Sequence, residues 1–389
     1  MLIENARIVT PTGIIGRGWV LCRDGKIAAM GEGTAHYSLT QNRLNAKGEL
    51  LLPGFVDVHV HGSDGVDTMD ATPDALAQMS RFYAKHGVTS FLATTWTDTH
   101  DRITTALETV RDTMAAMQSE TPEGAALVGV HLEGPYLNPD KCGAQNMDLI
   151  RQADPAEAEP WLDMDVIRLV SLAPEFVENH WLIEACIGRG ITVSVAHTSA
   201  SYEDTLTAIQ QGVTHSTHTF NAMPPLLHRE PGVLGAVLND PRVRCELIAD
   251  LVHVHPAMMR LLWQIKKPNG LMLITDAMRA AGLPDGDYPV DTRTIQVREG
   301  IARMPDGTLA GSTLTMDRAV YRFMQTIGEP LEVLWPVTSR NAAHAIHMGH
   351  CKGSIEIGKD ADLVLVNAQT VTVHNTWVAG TSVYSTPLE

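Results

Sequence analysis

In Val56-Asp57-Val58-His59-Val60-His61, side chains that bind metals or carry protons alternate with valine. A period of two is the pattern of a β-strand, and it puts His59 and His61 on one face, within reach of one ion. Neutral imidazole is the commonest protein metal ligand. Taken alone, the pair reads equally well as polar residues on the wet face of an antiparallel strand. Ligand types recur, however, at the ends of other β-rich runs. Glu133 follows Val128-Gly129-Val130-His131-Leu132, and His197 ends Thr192-Val193-Ser194-Val195-Ala196. His218 lies in His215-Ser216-Thr217-His218-Thr219, and Asp276 follows Leu271-Met272-Leu273-Ile274-Thr275. Any one of these is weak evidence. Together, nitrogen and oxygen ligands at matching ends of five strands point to a metal centre. Imidazole and carboxylate suit zinc first, then iron, cobalt or manganese, and an open coordination position brings a bound water to a pKa of about 7. Glu133 has the position of a carboxylate that bridges two ions. Asp276, with no histidine beside it in the sequence, is the candidate general base and acid, taking a proton from water and passing it to a leaving amine.

The elements that must position these residues alternate. Apolar, β-rich runs fall at 55–61, 90–95, 126–132, 167–173, 191–197, 215–220, 245–249 and 271–275, with helix-period segments such as 74–86, 101–118, 178–189 and 202–211 between them. Gly87, Gly190 and Gly212 stand where helix C-caps belong. Eight strands with intervening helices predict an α/β fold, a parallel (β/α)8 TIM barrel with its active site at the C-terminal ends of the strands. The stretch 135–165, with its Gly and Pro residues, reads as an active-site loop. Residues 1–53 and 350–389 are β-rich and too short to stand alone. They are expected to pair into one discontinuous β-sandwich domain beside a barrel of residues 54–349. Asp24-Gly25 is a hairpin signal there.

Composition narrows the partners. The 389 residues carry a formal charge of −16 and no basic block, which argues against nucleic acid or an anionic membrane. The five cysteines are scattered without a CxxC pair, so neither a disulfide framework nor a zinc knuckle is indicated. The first residues lack a signal-peptide core, and no apolar run approaches membrane-spanning length, so a reduced cytoplasm is expected.

The His59-x-His61 strand, the strand-end histidines, the final Asp276 and the β-rich termini resemble the amidohydrolase superfamily. Within it, Leu132-Glu133-Gly134-Pro135, Phe220-Asn221-Ala222-Met223, Arg229-Glu230-Pro231-Gly232, Ile274-Thr275-Asp276-Ala277-Met278 and Leu309-Ala310-Gly311-Ser312 are similar to the N-acetylglucosamine-6-phosphate deacetylases. The resemblance runs over essentially the whole chain. It implies a homodimer that removes the acetyl group of a 2-acetamido-sugar 6-phosphate. It places the principal metal site on Glu133, His197 and His218, a second site on His59 and His61, and the catalytic carboxylate on Asp276. One or two divalent ions per subunit are implied. Substrate contacts fall on Ala144, Gln145, Asn221, Ala222, Arg229, His253, Leu309, Ala310 and Gly311.

Arg229 offers a planar, always-charged fork for a phosphate, although an ion pair with Glu230 is the plainer reading of the residues alone. His253 and His255 form a second His-x-His pair, read as substrate-facing because it follows the seventh strand by several residues. One departure stands out: most family members have histidine where this chain has Gln145. That histidine helps hold the substrate and polarise its acyl oxygen. Gln145 is therefore expected over the reacting centre, donating through its amide without charge. Galactosamine-series substrates, or a cyclic amide as in dihydroorotase-like relatives, are the alternatives. A non-catalytic barrel would show lost ligands, and none is lost.

Overall fold

A computed structural model of the chain describes residues 1–36 and 42–388. Eight parallel strands form one sheet: β1 (Phe55–Val60), β2 (Val88–Thr94), β3 (Ala126–Glu133), β4 (Ile167–Leu172), β5 (Thr192–Val195), β6 (His215–Ser216), β7 (Arg244–Ile248) and β8 (Leu271–Ile274). The sheet curls until its ends meet. The Asp276 N–H donates to the His59 carbonyl at 2.9 Å and the His61 N–H to the Ala277 carbonyl at 2.8 Å. The longer helices are α1 (Pro73–Lys85), α2 (His100–Ser119), α3 (Pro155–Leu162), α4 (His180–Gly188), α5 (Tyr202–Gln211), α6 (Gly232–Asn239), α7 (Pro256–Lys266) and α8 (Met316–Ile327), followed by two short ones, Leu331–Trp335 and Asn341–Ala345. Their ends follow local chemistry. Thr72 caps α1 through its side chain ahead of Pro73, Ser201 and Asp204 form a capping box on α5, and Gly87 and Gly212 take positive φ after α1 and α5.

Every residue of β1 is buried, because one face looks into the barrel and the other against helices. That removes the wet-face reading of His59 and His61. Val56, Val58 and Val60 join the main apolar core. Two expected strands are shorter than their apolar runs. The fifth stops at Val195 and the sixth at Ser216, because His197, His218 and Phe220 adopt left-handed backbone (φ 42°, 29° and 86°) and turn the chain out of the sheet.

The two termini pair with each other in one eight-stranded sheet. Its joint is Leu50–Pro53 against Leu363–Val366, antiparallel. Period two splits these strands between cores: Leu50, Leu52, Val364 and Val366 face the barrel core, while Leu51, Leu363 and Leu365 pack with Ile3, Ile8 and Trp377 in a separate one. Asp24 and Gly25 both take positive φ in the hairpin turn. The β-rich C-terminal stretch supplies three strands, Leu363–Val366, Val373–Val378 and Thr381–Ser385. A three-stranded antiparallel sheet, Gly286–Val290, Arg293–Arg298 and Ile301–Arg303, lies between β8 and α8 and was not foreseen. Among the described residues no helix is long and apolar enough to cross a membrane.

Candidate active site

Left-handed backbone marks the rim of the barrel. His197, His218 and Asp276 (φ 49°) each follow a strand by two residues in a conformation that costs a non-glycine residue about 1–2 kcal/mol. Strain of that size is kept where it aims a side chain at a site. His197 and His218 point to Glu133, the last residue of β3. Glu133 Oε1 lies 3.1 Å from His218 Nε2 and 3.4 Å from His197 Nε2, and the two imidazole nitrogens are 3.0 Å apart. On the other side, Glu133 Oε2 is 3.2 Å from His61 Nε2, and His59 Nε2 is 3.5 Å from Oε1. Two overlapping ligand groups result, Glu133-His197-His218 and His59-His61-Glu133, all buried.

Closure of the barrel adds Asp276. The residue has no histidine beside it in sequence, but β8 neighbours β1 in the closed sheet. Asp276 Oδ1 therefore stands 3.4 Å from His61 Nε2 and 3.6 Å from His59 Nε2. Burial pushes its carboxyl up, but the charge of His59 and the hydrogen bond and charge of His61 outweigh it and hold Asp276 at about 2. Glu133 behaves alike: burial raises it, and His59, His197 and His218 bring it well below the usual carboxylate range. Both carboxylates are ionised at neutral pH.

The imidazoles are oriented from behind. His197 Nδ1 donates to the Lys141 carbonyl at 2.8 Å, which frees Nε2. His59 Nδ1 lies 3.1 Å from Glu246 Oε2, a fully buried carboxylate in β7 that also accepts from the His218 N–H at 3.2 Å. His61 stacks on Trp96, ring centroids 4.1 Å apart. Below them, His131 donates from Nδ1 to the Val58 carbonyl, while Ser171, Ser194 and Thr217 continue the network at 2.6–2.7 Å. Burial and then the charge of His59 push His131 well down, so it stays a neutral support.

The donor set fits a divalent ion. His59 Nε2 is buried without a hydrogen-bond partner and faces two carboxylates beyond hydrogen-bond range. Nitrogen and oxygen donors of this kind suit zinc and its neighbours. A cavity of about 350 Å³ opens onto them, within the usual size of small-molecule sites. Of the residues expected at the substrate, Ala144, Gln145, Asn221, Ala222, His253, Leu309 and Gly311 line it, together with Trp96, Lys141 and Thr308. Three residues depart from expectation. Ala310 is fully buried outside the lining, its N–H bonded to the Ala302 carbonyl of the inserted sheet. Arg229 lines a separate surface cavity with Tyr202, Leu227 and Pro231. His255 is no second half of a pair, because its Nδ1 accepts from the Ala257 N–H and caps α7. His253 alone faces the cavity, its Nδ1 2.6 Å from Asp250. Burial pushes that imidazole down, and the bond to Asp250 outweighs it and raises it.

Gln145 lies at the centre, with its amide turned toward Glu133 and Thr97. Its loop is held by Arg293 of the inserted sheet, which donates to the Ala144 and Gln145 carbonyls at 2.9 and 3.4 Å. Glu246, Asp250, Trp96 and Arg293 were not anticipated. The first three lie inside or just past apolar runs, where the pattern assigns them to core or turn. Arg293 opens an alternating run, Arg293-Thr294-Ile295-Gln296-Val297, that was legible as a strand.

A family model described as "Amidohydrolase family" matches residues 50–383. The chain is 39% identical over 370 residues to N-acetylglucosamine-6-phosphate deacetylase of Bacillus subtilis (strain 168), covering 95% of this chain and 93% of that one. It is 36% identical to N-acetylgalactosamine-6-phosphate deacetylase of Escherichia coli O157:H7, over 97% and 98% of the two chains. Among solved structures, a mutant of the Mycobacterium smegmatis N-acetyl-D-glucosamine-6-phosphate deacetylase in complex with N-acetyl-D-glucosamine-6-phosphate superimposes with a TM-score of 0.90 at 33% identity, covering 99% of each chain. The chain belongs to the amidohydrolase family and, within it, to the group of the N-acetylglucosamine-6-phosphate deacetylases.

Proposed function

We propose that the chain hydrolyses N-acetyl-D-glucosamine 6-phosphate to D-glucosamine 6-phosphate and acetate. The observation that carries the reading is the convergence of Asp276 with two ligand groups sharing Glu133 at the floor of one cavity. Glu133, His197 and His218 would hold one divalent ion, zinc first, and His59 and His61 with Glu133 a second. A bound ion supplies Lewis acidity for the amide carbonyl and lowers the pKa of water. Asp276, ionised and beside His61, takes the proton of the attacking water on Oδ1. It returns that proton to the sugar nitrogen as the carbon–nitrogen bond breaks. Asn221, with Lys141 and His253, offers donors and positive charge for the phosphate inside a chain of net charge −16.

Arg229 sits outside the cavity, so its assigned role in phosphate binding rests on the resemblance alone. The exposed Leu226 and Leu227 beside it support a homodimer, and the absence of a membrane-crossing helix among the described residues is consistent with a cytoplasmic enzyme. A galactosamine-series substrate is the second reading, favoured by the Escherichia coli O157:H7 relative. Acetate release from the two epimers, measured side by side at defined metal content, tests both. The parent should turn over the glucosamine epimer faster, and Asp276→Asn should lose roughly 10²–10⁴ in kcat. Faster turnover of the galactosamine epimer reverses the substrate assignment, and an Asp276→Asn enzyme at parental rate removes the proton shuttle.

A further inference from the structure

We propose that Gln145 is a positioning residue for the shared carboxylate Glu133, braced from the rim above β2, and that its task is to set the metal centre rather than to donate to the substrate. The inference rests on the reading of Glu133 as a metal ligand. β2 carries none of the ligands, yet the residues that follow it reach the cluster, directly at His61 and through Gln145 at Glu133. Trp96 packs flat on His61, with ring planes 26° apart, and its indole Nε1 donates to Asp67 at 3.2 Å. One residue later, the Thr97 N–H donates to Gln145 Oε1 at 2.7 Å, and Gln145 Nε2 donates to Glu133 Oε2 at 2.8 Å. Gln145 is only 3% exposed.

The chemistry of these partners leaves one orientation for the amide. A backbone N–H can only donate and an ionised carboxylate can only accept, so oxygen must face Thr97 and nitrogen must face Glu133. Turning the amide toward a substrate would break two buried bonds together. The grip also selects between the oxygens of Glu133. Oε2, which Gln145 holds, is the oxygen near His61, whereas Oε1 is turned to His197 and His218 and lies 3.5 Å from His59 Nε2. Fixing Oε2 fixes rotation of the carboxylate about its last bond, and with it the sharing of Glu133 between the two groups. Thr97 is itself fixed. A Cβ on Gly134, the residue after Glu133, would fall 2.2 Å from Thr97 Oγ1, so rim and strand end are in close contact there. Outer partners of this kind hold metal ligands in place, and their loss costs about 10–100-fold in metal affinity or activity.

Two variants test this. Gln145→Met keeps the volume and removes both bonds. Gln145→Glu keeps acceptance from Thr97, and so the attachment of the loop, while losing donation to Glu133. Zinc content is measured by elemental analysis after timed exposure to a chelator. The absorption of the cobalt-substituted enzyme is recorded without substrate, and kcat and KM are measured at saturating metal. Both variants should lose zinc about 10–100-fold more readily than the parent and show a changed cobalt spectrum in the substrate-free state, with KM little altered. Parental zinc retention and cobalt spectrum, together with a fall in kcat, would make Gln145 a donor to the substrate and overturn the proposal. If neither acetamido sugar phosphate is turned over but the zinc and cobalt changes occur, the brace stands and the substrate reading falls.

Discussion

The two ligand groups that meet at Glu133 are built from different materials. His59 stands in β1 and His61 directly follows its last residue, both wholly enclosed, and His59 is backed by the buried carboxylate of Glu246. His197 and His218 come from two strands, on left-handed residues, and His197 is backed by a main-chain carbonyl in the loop that also carries Gln145. A carboxylate behind an imidazole raises its basicity more than a neutral carbonyl does. The strand-borne group therefore depends on charge and on barrel register, the rim-borne group on loop geometry and backbone strain. Disturbances of the Lys141–Gly143 part of the loop, which bears on His197, should reach the rim-borne group before the strand-borne one.

The largest effect is expected where the groups are joined. Glu133→Gln keeps the shape and removes the charge both groups share. Elemental analysis should find both ions depleted, and activity should fall well beyond the roughly 10–100-fold typical of outer partners. A variant that keeps a full complement at His197 and His218 would show that the groups do not depend on a common carboxylate.

Glu246→Gln separates charge from geometry on the strand-borne side. Glu246 Oε2 accepts from both His59 Nδ1 and the His218 N–H, and Oε1 has no partner. An amide oxygen can serve both bonds, so what is lost is charge. Affinity for the ion at His59 and His61 should drop about 10–100-fold, with the ion at Glu133, His197 and His218 retained. Equal loss from both groups in a metal titration would erase the distinction between them.

Sequence reading reached the ligands of both groups better than the residues that support them. His59, His61, Glu133, His197, His218 and Asp276 were visible because each ends a run whose period declares a strand, and a closed parallel sheet brings equivalent strand ends to one rim. The meeting of Asp276 with His59 and His61 was hidden, since it follows from closure and not from spacing. Glu246 and His131 were hidden for another reason: inside a barrel, a polar residue within an apolar run looks like any strand position until its partner across the lumen is known. Arg229 and His255 show the converse. Arg229 carried suitable chemistry for the substrate cavity and lies at another surface, and His255 carried suitable chemistry and serves as a helix cap. Residue type sets what a side chain can do, while topology decides where.

The smallest expected effect probes the loop side directly. Gly143 adopts φ 57°, and a Cβ there would lie 3.3 Å from His197 Cε1. Gly143→Ala therefore meets two obstacles. The left-handed conformation costs alanine about 1–2 kcal/mol, and the new methyl presses on a ring whose Nδ1 is already held by Lys141 in the same loop. The ring can give by a few tenths of an ångström only by lengthening that bond or by tilting Nε2 away from Glu133. Melting should fall by a few degrees. Ion retention at the rim-borne group should fall severalfold while the strand-borne group, which touches neither Gly143 nor Lys141, keeps its ion. Cobalt loaded at one equivalent and at two can be followed by absorption to read the groups apart. A Gly143→Ala enzyme that loses the His59 and His61 ion first would mean that strain in the loop is passed through Glu133 into the strand, and the two groups would then have to be treated as one.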